Sequence, residues 1–168
     1  MNDVQVKGLS QLQKALDTLP TKIQNNIMRG ALRAGSKLIK TEAAARVPVE
    51  SGLLSSSLRI STRNRDGKVQ ASVSVGGATK KGSIIARHAH LVEFGTKPHV
   101  IEAKAGKTLA IGVSRVNHPG SKPKPFMRPA LDLTQAAAIT AVGEYIRTRL
   151  ATKHGLEVPA PLEEGDEA

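Results

Sequence analysis

Cysteine is absent from the 168 residues, which excludes a disulfide framework and any chemistry that runs through a thiolate. Aromatics are nearly absent as well: Phe94, Phe126 and Tyr145 are the only three, too few to build a platform on which nucleic-acid bases stack. No uninterrupted apolar run approaches the roughly 20 residues of a membrane-spanning helix. The start, Met1-Asn2-Asp3-Val4-Gln5, does not open the basic-then-apolar pattern of a secretory signal. These absences set the expectation of a soluble protein made in the cytoplasm, with no membrane partner. The length favours one domain, large enough to hold a core without staples.

Acid is scarce except at one end. Of 14 Asp and Glu, five (Glu157, Glu163, Glu164, Asp166 and Glu167) fall in the last twelve residues, which carry no Lys or Arg. The nine that remain face 25 Lys and Arg, a net charge of +16 over residues 1–156. A body that basic attracts nucleic acid, acidic protein surfaces or anionic membranes, and the acidic segment can screen it or dock elsewhere. We therefore expect a single domain over residues 1–154 and a disordered acidic tail over 155–168.

Leu9, Leu12, Leu16 and Leu19 recur every three or four residues and form the stripe of a short helix that Pro20 ends. Thr21 can cap a longer helix to about Arg46. Ile23, Ile27, Ala31, Ala34, Leu38 and Ile39 mark its apolar side, while Lys22, Asn26, Arg29, Arg33, Lys37 and Lys40 mark the other. Gly30, Ala31, Ala34 and Gly35 thin the inner face for close approach of a neighbouring element. The basic stripe is either solvated or awaits an acidic partner.

Pro48 and Gly52 break the helix, and the serines Ser55, Ser56 and Ser57 that follow lack the surroundings of a nucleophile elbow. Leu58–Thr62 and Val69–Val75 alternate apolar with polar residues around Asn64-Arg65-Asp66-Gly67, which predicts a hairpin. Residues 76–83 read as a basic loop. The stretch Ile85–Thr96, IARHAHLVEFGT, places Leu91, Val92 and Phe94 as core anchors and Gly95 as a sharp turn. His88, His90 and Glu93 can be written as a metal triplet, but a helix would splay the two histidines and no further ligand lies near in sequence. Polar or interface histidines are the plainer reading, and no cofactor is expected.

A second hairpin is predicted from His99–Ala103 and Thr108–Val113 across Lys104–Lys107. Its Gly106-Lys107-Thr108 resembles the end of a phosphate-binding loop, yet Ile101 stands where that loop needs glycine and a strand follows where it needs a helix. Asn117–Pro125 reads as an extended, proline-rich basic arm. Phe126 and Met127 anchor it, and Pro129 suits the first turn of a helix to about Lys153. Leu131, Ala136, Ile139, Val142, Ile146 and Leu150 form the apolar stripe of that helix, and Gly155 is its stop. The predicted fold is α+β: one antiparallel sheet of about four strands near 58–63, 68–76, 98–103 and 108–114, with the long helix and the C-terminal helix packed on one face.

Several pieces in order carry a family resemblance: Ala45-Arg46-Val47-Pro48-Val49 with Ser51-Gly52-Leu53-Leu54, then Leu91-Val92-Glu93-Phe94-Gly95-Thr96, His118-Pro119-Gly120 and Pro125-Phe126-Met127-Arg128-Pro129-Ala130. Over about residues 5 to 150 the chain resembles the tail-component family of tailed bacteriophages and prophages. The resemblance implies a non-enzymatic virion protein of a long-tailed phage, located in the neck or tail, working in head-tail joining or tail completion. It implies a homo-oligomeric ring, with a hexamer the expected form, next to a head-tail connector or stopper, a tail terminator or the tail tube. DNA would pass through its lumen without specific binding. Arg29, Arg33, Lys37, Lys40, Lys80, Lys81, His118, Lys122 and Lys124 are the interface residues expected on that reading, with Leu91, Val92, Phe94, Gly95, Phe126 and Pro129 as structural anchors. Two rivals stand beside it: a basic nucleic-acid-binding protein, which lacks any recognisable binding motif, and a tail terminator that caps the tube.

Overall fold

The computed structural model describes residues 9–48, 52–78, 84–85, 88–104, 107–156 and 158. Helix α1 spans Leu9–Asp17, and Leu12 and Leu16 from its stripe are buried. Helix α2 runs Thr21–Arg46. Pro20 rather than Thr21 occupies its N-cap position, with no side-chain cap bond. The Pro20 carbonyl instead accepts the N–H groups of Ile23 and Gln24 at 2.8 and 3.1 Å, so the extended proline takes over the start of the helix.

Helix α3, Leu53–Ser56, is a single turn. The Oγ atoms of Ser56 and Ser57 donate to the Leu53 and Leu54 carbonyls at 3.1 and 2.7 Å, ordinary turn-closing bonds for this serine cluster. Strands β1, Leu58–Arg65, and β2, Lys68–Val75, form an antiparallel hairpin from Leu58↔Val75 to Arg65↔Lys68. Its two-residue turn, Asp66-Gly67, has φ of +52° and +75°. Positive φ at both central positions matches the right-handed twist of the strands, and Asp-Gly is one of the few pairs that adopt it readily.

Strands β3, Gly77–Ala78, and β4, Ile84–Ile85, make a minimal ladder. Helix α4 is Ala89–Phe94. Strands β5, His99–Glu102, and β6, Arg115–His118, form another antiparallel hairpin. Helix α5, Met127–His154, closes the order, with Gly155 left-handed at its end and Leu156 N–H returning to the Leu150 carbonyl at 3.1 Å.

Helices α2 and α5 lie side by side as an antiparallel beam with a core at each end. One end joins Leu12 and Leu16 to Ile27, Ala31, Ile146 and Leu150; the other joins Ala43, Val47, Leu54 and Leu58 to Phe126 and Ala130. Between them the helices nearly touch. A Cβ on Gly35 would stand 2.7 Å from the Ala138 carbonyl oxygen, and one on Gly30 would collide with the Tyr145 hydroxyl. The thin face predicted for α2 therefore receives a second helix.

The fold is α+β, but the strands form three separate two-stranded ladders instead of one four-stranded sheet. The β1–β2 hairpin covers its apolar side on α2, where Val73 and Val75 pack beside Leu58. The β5–β6 hairpin buries little on either side, so no apolar face draws it onto the first. Helix α5 packs chiefly on α2, and only its start, at Phe126 and Ala130, reaches the Leu58 end of the hairpin. The predicted strand over 108–114 is a turn: Leu109 N–H donates to the Val113 carbonyl and Gly112 N–H to the Leu109 carbonyl, both at 2.8 Å. Gly112 at φ +80° breaks the strand there, and pairing moves on to Arg115. On α5, Leu131 is 48% exposed, and Ala130 and Ala138 take the inward positions.

Candidate functional site

The first N–H groups of a helix have no partner within it and need a cap or an anion. Helix α5 begins after Lys122-Pro123-Lys124-Pro125, where no Ser, Thr, Asp or Asn immediately precedes the first turn, and its cap position, Phe126, supplies no side-chain bond. The anion comes from α4. Glu93, 8% exposed, accepts the backbone N–H of Phe126 at 2.8 Å and of Met127 at 3.0 Å on Oε2, and that of Arg128 at 3.2 Å on Oε1. Desolvation alone would raise the Glu93 pKa. The three backbone donors outweigh it and hold the carboxyl below its ordinary value of 4.5.

The same contact is tied again at the backbone. Lys124 N–H donates to the Val92 carbonyl at 2.8 Å, and Thr96 and Ser121 exchange backbone bonds of 3.0 and 3.1 Å. The Thr96 hydroxyl also accepts Ser121 N–H at 2.9 Å. Glycine is required on both sides of this crossing. At Gly95, φ +71°, a Cβ would sit 2.5 Å from the Ser121 carbonyl oxygen, and at Gly120, φ +86°, it would collide with the Thr96 carbonyl oxygen. Three sequence segments, 91–96, 118–121 and 124–130, thus meet in one crossing.

The crossing clamps the base of an arm whose described residues are 97–104 and 107–121. His99 and His118 pair across β5–β6 with ring centroids 5.0 Å apart. His118 Nδ1 accepts Gly120 N–H at 3.0 Å, while His99 Nδ1 bonds to the Lys97 carbonyl at 2.9 Å. Further out, Glu102 and Arg115 form an exposed ion pair at 3.5 Å. The outer arm shows apolar side chains to solvent: Val100 at 44%, Ile111 at 68% and Val113 at 42% exposed.

The anchor residues divide. Phe126 is buried and Val92 packs beside it, and Pro129 lies half-buried in the first turn of α5. Phe94 is not core: it is 78% exposed, and Leu91 is exposed beside it on α4. A one-and-a-half-turn helix presents one face, and Glu93, Val92 and Ala89 take the inward one. The metal triplet has no geometry either. His88 and His90 straddle the start of α4, both Glu93 oxygens face α5, and among the described residues no three His, Cys, Asp or Glu cluster.

Of the interface residues, Arg29, Arg33 and Lys37 are exposed and Lys40 half-buried along one face of α2, while Lys122 and Lys124 are exposed at the arm base near half-buried His118. They form two groups on different elements. Lys80 and Lys81 lie outside the described residues, as does most of the acidic tail.

A family model described as "Bacteriophage HK97-gp10, putative tail-component" matches residues 10–95, 86 of the 168 and so just over half of the chain. The chain belongs to this family. It is thereby a phage tail component and a structural protein. The match takes in α1 through α4 and ends at Gly95, whereas the crossing binds that stretch to Ser121 and to the start of α5; the structural unit extends past the matched residues. No curated protein and no solved structure matches the chain.

Sequence reading missed the central role of Glu93. The signal was there: a long helix that begins without a capping residue of its own needs an anion from elsewhere.

Proposed function

We propose that this tail-component protein acts at the head-tail joint or in tail completion, as one of several identical subunits in a closed ring, with six as the expected number. The observation that carries this reading is the arm. It is clamped rigidly at its base by the Glu93, Thr96 and Ser121 contacts and presents Val100, Ile111 and Val113 to solvent. Closed rings are built from heterologous interfaces, in which one patch of a subunit meets a different patch of the next. An arm tip with apolar side chains and a separate apolar patch at Leu91 and Phe94 meet that requirement within one chain. Neighbouring neck or tail proteins would stack on the ring, and DNA would cross its lumen unbound, since tight phosphate contacts would hinder passage.

Particle assembly without the protein tests this. Filled heads and separate finished tails are expected, restored to whole particles by the supplied wild-type chain. Normal particles would overturn the reading, and tails of irregular length would point to a tail terminator. Native mass measurement of the purified protein reads the subunit number.

A further inference from the structure

Helix α2 carries Lys22, Asn26, Arg29, Arg33, Lys37 and Lys40 within about 80° of arc at 100° per residue, opposite its buried residues Ile27, Ala31 and Gly35. The single acid of α2, Glu42, is committed to Arg46 at 2.7 Å. Among the described residues no carboxylate pairs with Arg29, Arg33, Lys37 or Lys40. Like charges at three- and four-residue spacing repel one another, and a basic face of this kind fits a polyanion or an acidic peptide.

An acidic segment leaves the fold at the N-terminal end of this helix. Leu156 and Val158 pack on the core that holds Ile23 and Ile27, at the start of α2. A cavity of about 210 Å³ at that end is lined by Ile23, Asn26, Ile27, Arg149, Lys153 and His154, so the basic end of α5 meets Asn26 at the edge of the α2 face. Residues 159–168 hold Glu163, Glu164, Asp166 and Glu167 and no base. Ten residues reach as far as about 33 Å when extended, whereas α2 from Ile27 to Lys40 covers only about 20 Å. The segment is therefore long enough to pass Asn26 and reach Arg29, Arg33, Lys37 and Lys40 of its own chain.

We infer that the acidic segment, residues 157–168, docks on the basic face of α2 in the same subunit and acts as a built-in competitor for polyanions. It keeps nucleic acid off this face in the free subunit. This function is separate from ring formation and does not depend on the role in head-tail joining.

The test uses the full chain, a chain ending at Leu156, and both forms carrying Arg29→Gln, Arg33→Gln, Lys37→Gln and Lys40→Gln. Binding of a fluorescent 20-base-pair duplex DNA is titrated in low salt. Removing residues 157–168 is expected to tighten binding at least tenfold on the native face and less than twofold on the neutralised face. An equal gain on both would show a general charge effect and overturn the proposal. Carbodiimide coupling, which joins a carboxylate to an amine in direct contact, provides the second measurement on the full chain. Links from Glu163–Glu167 to Lys37 or Lys40 within one subunit are expected. Links confined to the arm lysines Lys97, Lys104 and Lys107, or found only between subunits, would overturn it.

Discussion

The Glu93 carboxylate accepts the Phe126 backbone N–H at 2.8 Å across 33 residues of sequence, and through this bond the short helix α4 supplies the charge that α5 lacks at its start. Replacing Glu93 with Gln keeps one acceptor oxygen but removes the charge and turns an amide NH₂ toward N–H donors. The expected loss is about 1–3 kcal/mol of unfolding free energy, read from denaturant titration near neutral pH.

The same bond has a pH signature. The folded-state pKa of Glu93 lies below its ordinary value of 4.5, so below that pH the unfolded chain binds the extra proton. Its contribution is complete above 4.5 and is lost as pH falls through the lower folded value. The stability gap between wild type and Glu93→Gln should therefore hold steady from neutral pH down to about 4.5 and narrow below it. A constant gap through pH 3 would show that the carboxylate charge is not what α5 uses.

Phe126 and Phe94 look alike in sequence and should behave oppositely. Phe126 is 1% exposed inside a core with Leu54, Leu58 and Ala130, and Phe126→Ala should cost about 3–5 kcal/mol. Phe94 is 78% exposed, and Phe94→Ala should stay within about 0.5 kcal/mol of wild type. Thermal or denaturant unfolding of the two variants checks both. A large loss at Phe94 in the isolated subunit would contradict its placement.

These two residues also show what could be read from sequence. Helices α1, α2 and α5 and the β1–β2 hairpin were legible because each is written locally, in leucine spacing, in charge opposite apolar stripe, or in Asp66-Gly67 between alternating residues. The crossing was not, because its partners lie 25 to 35 residues apart and no periodicity links them. Phe94 read as core because an aromatic in an apolar run is usually buried, yet a six-residue helix has room for only one inward face. The strand expected at 108–114 had the right alternation but not the backbone, since Gly112 turns it back.

Glycines in the two long helices separate contact from propensity. A Cβ on Gly35 would meet backbone, the Ala138 carbonyl oxygen at 2.7 Å, as well as Val142 Cγ2 at 2.8 Å. Gly35→Ala must push α2 and α5 apart, at about 1–3 kcal/mol. At Gly143 the nearest atoms are the Arg147 guanidinium at 3.8 Å, and Gly143→Ala should stabilise by up to about 1 kcal/mol through helix propensity alone. Opposite signs in paired melting curves are the expected result.

The arm tip offers a way to separate folding from assembly. Ile111 and Val113 sit in a turn closed by backbone bonds between Leu109, Gly112 and Val113, and their side chains are 68% and 42% exposed. Neither bond depends on an apolar side chain, so Ile111→Ser with Val113→Ser should leave subunit stability within about 0.5 kcal/mol. If the arm reaches a neighbouring copy, burying these two side chains supplies part of the association energy, roughly 1.5–3 kcal/mol for each when fully covered. Their loss should shift native mass spectra from ring to subunit at a protein concentration where wild type is assembled. The double variant should also fail to rescue particles in a strain that lacks the protein. A variant that folds, forms rings and rescues as wild type does would move the subunit interface away from the arm tip and leave the clamp at Glu93 with a purely internal role.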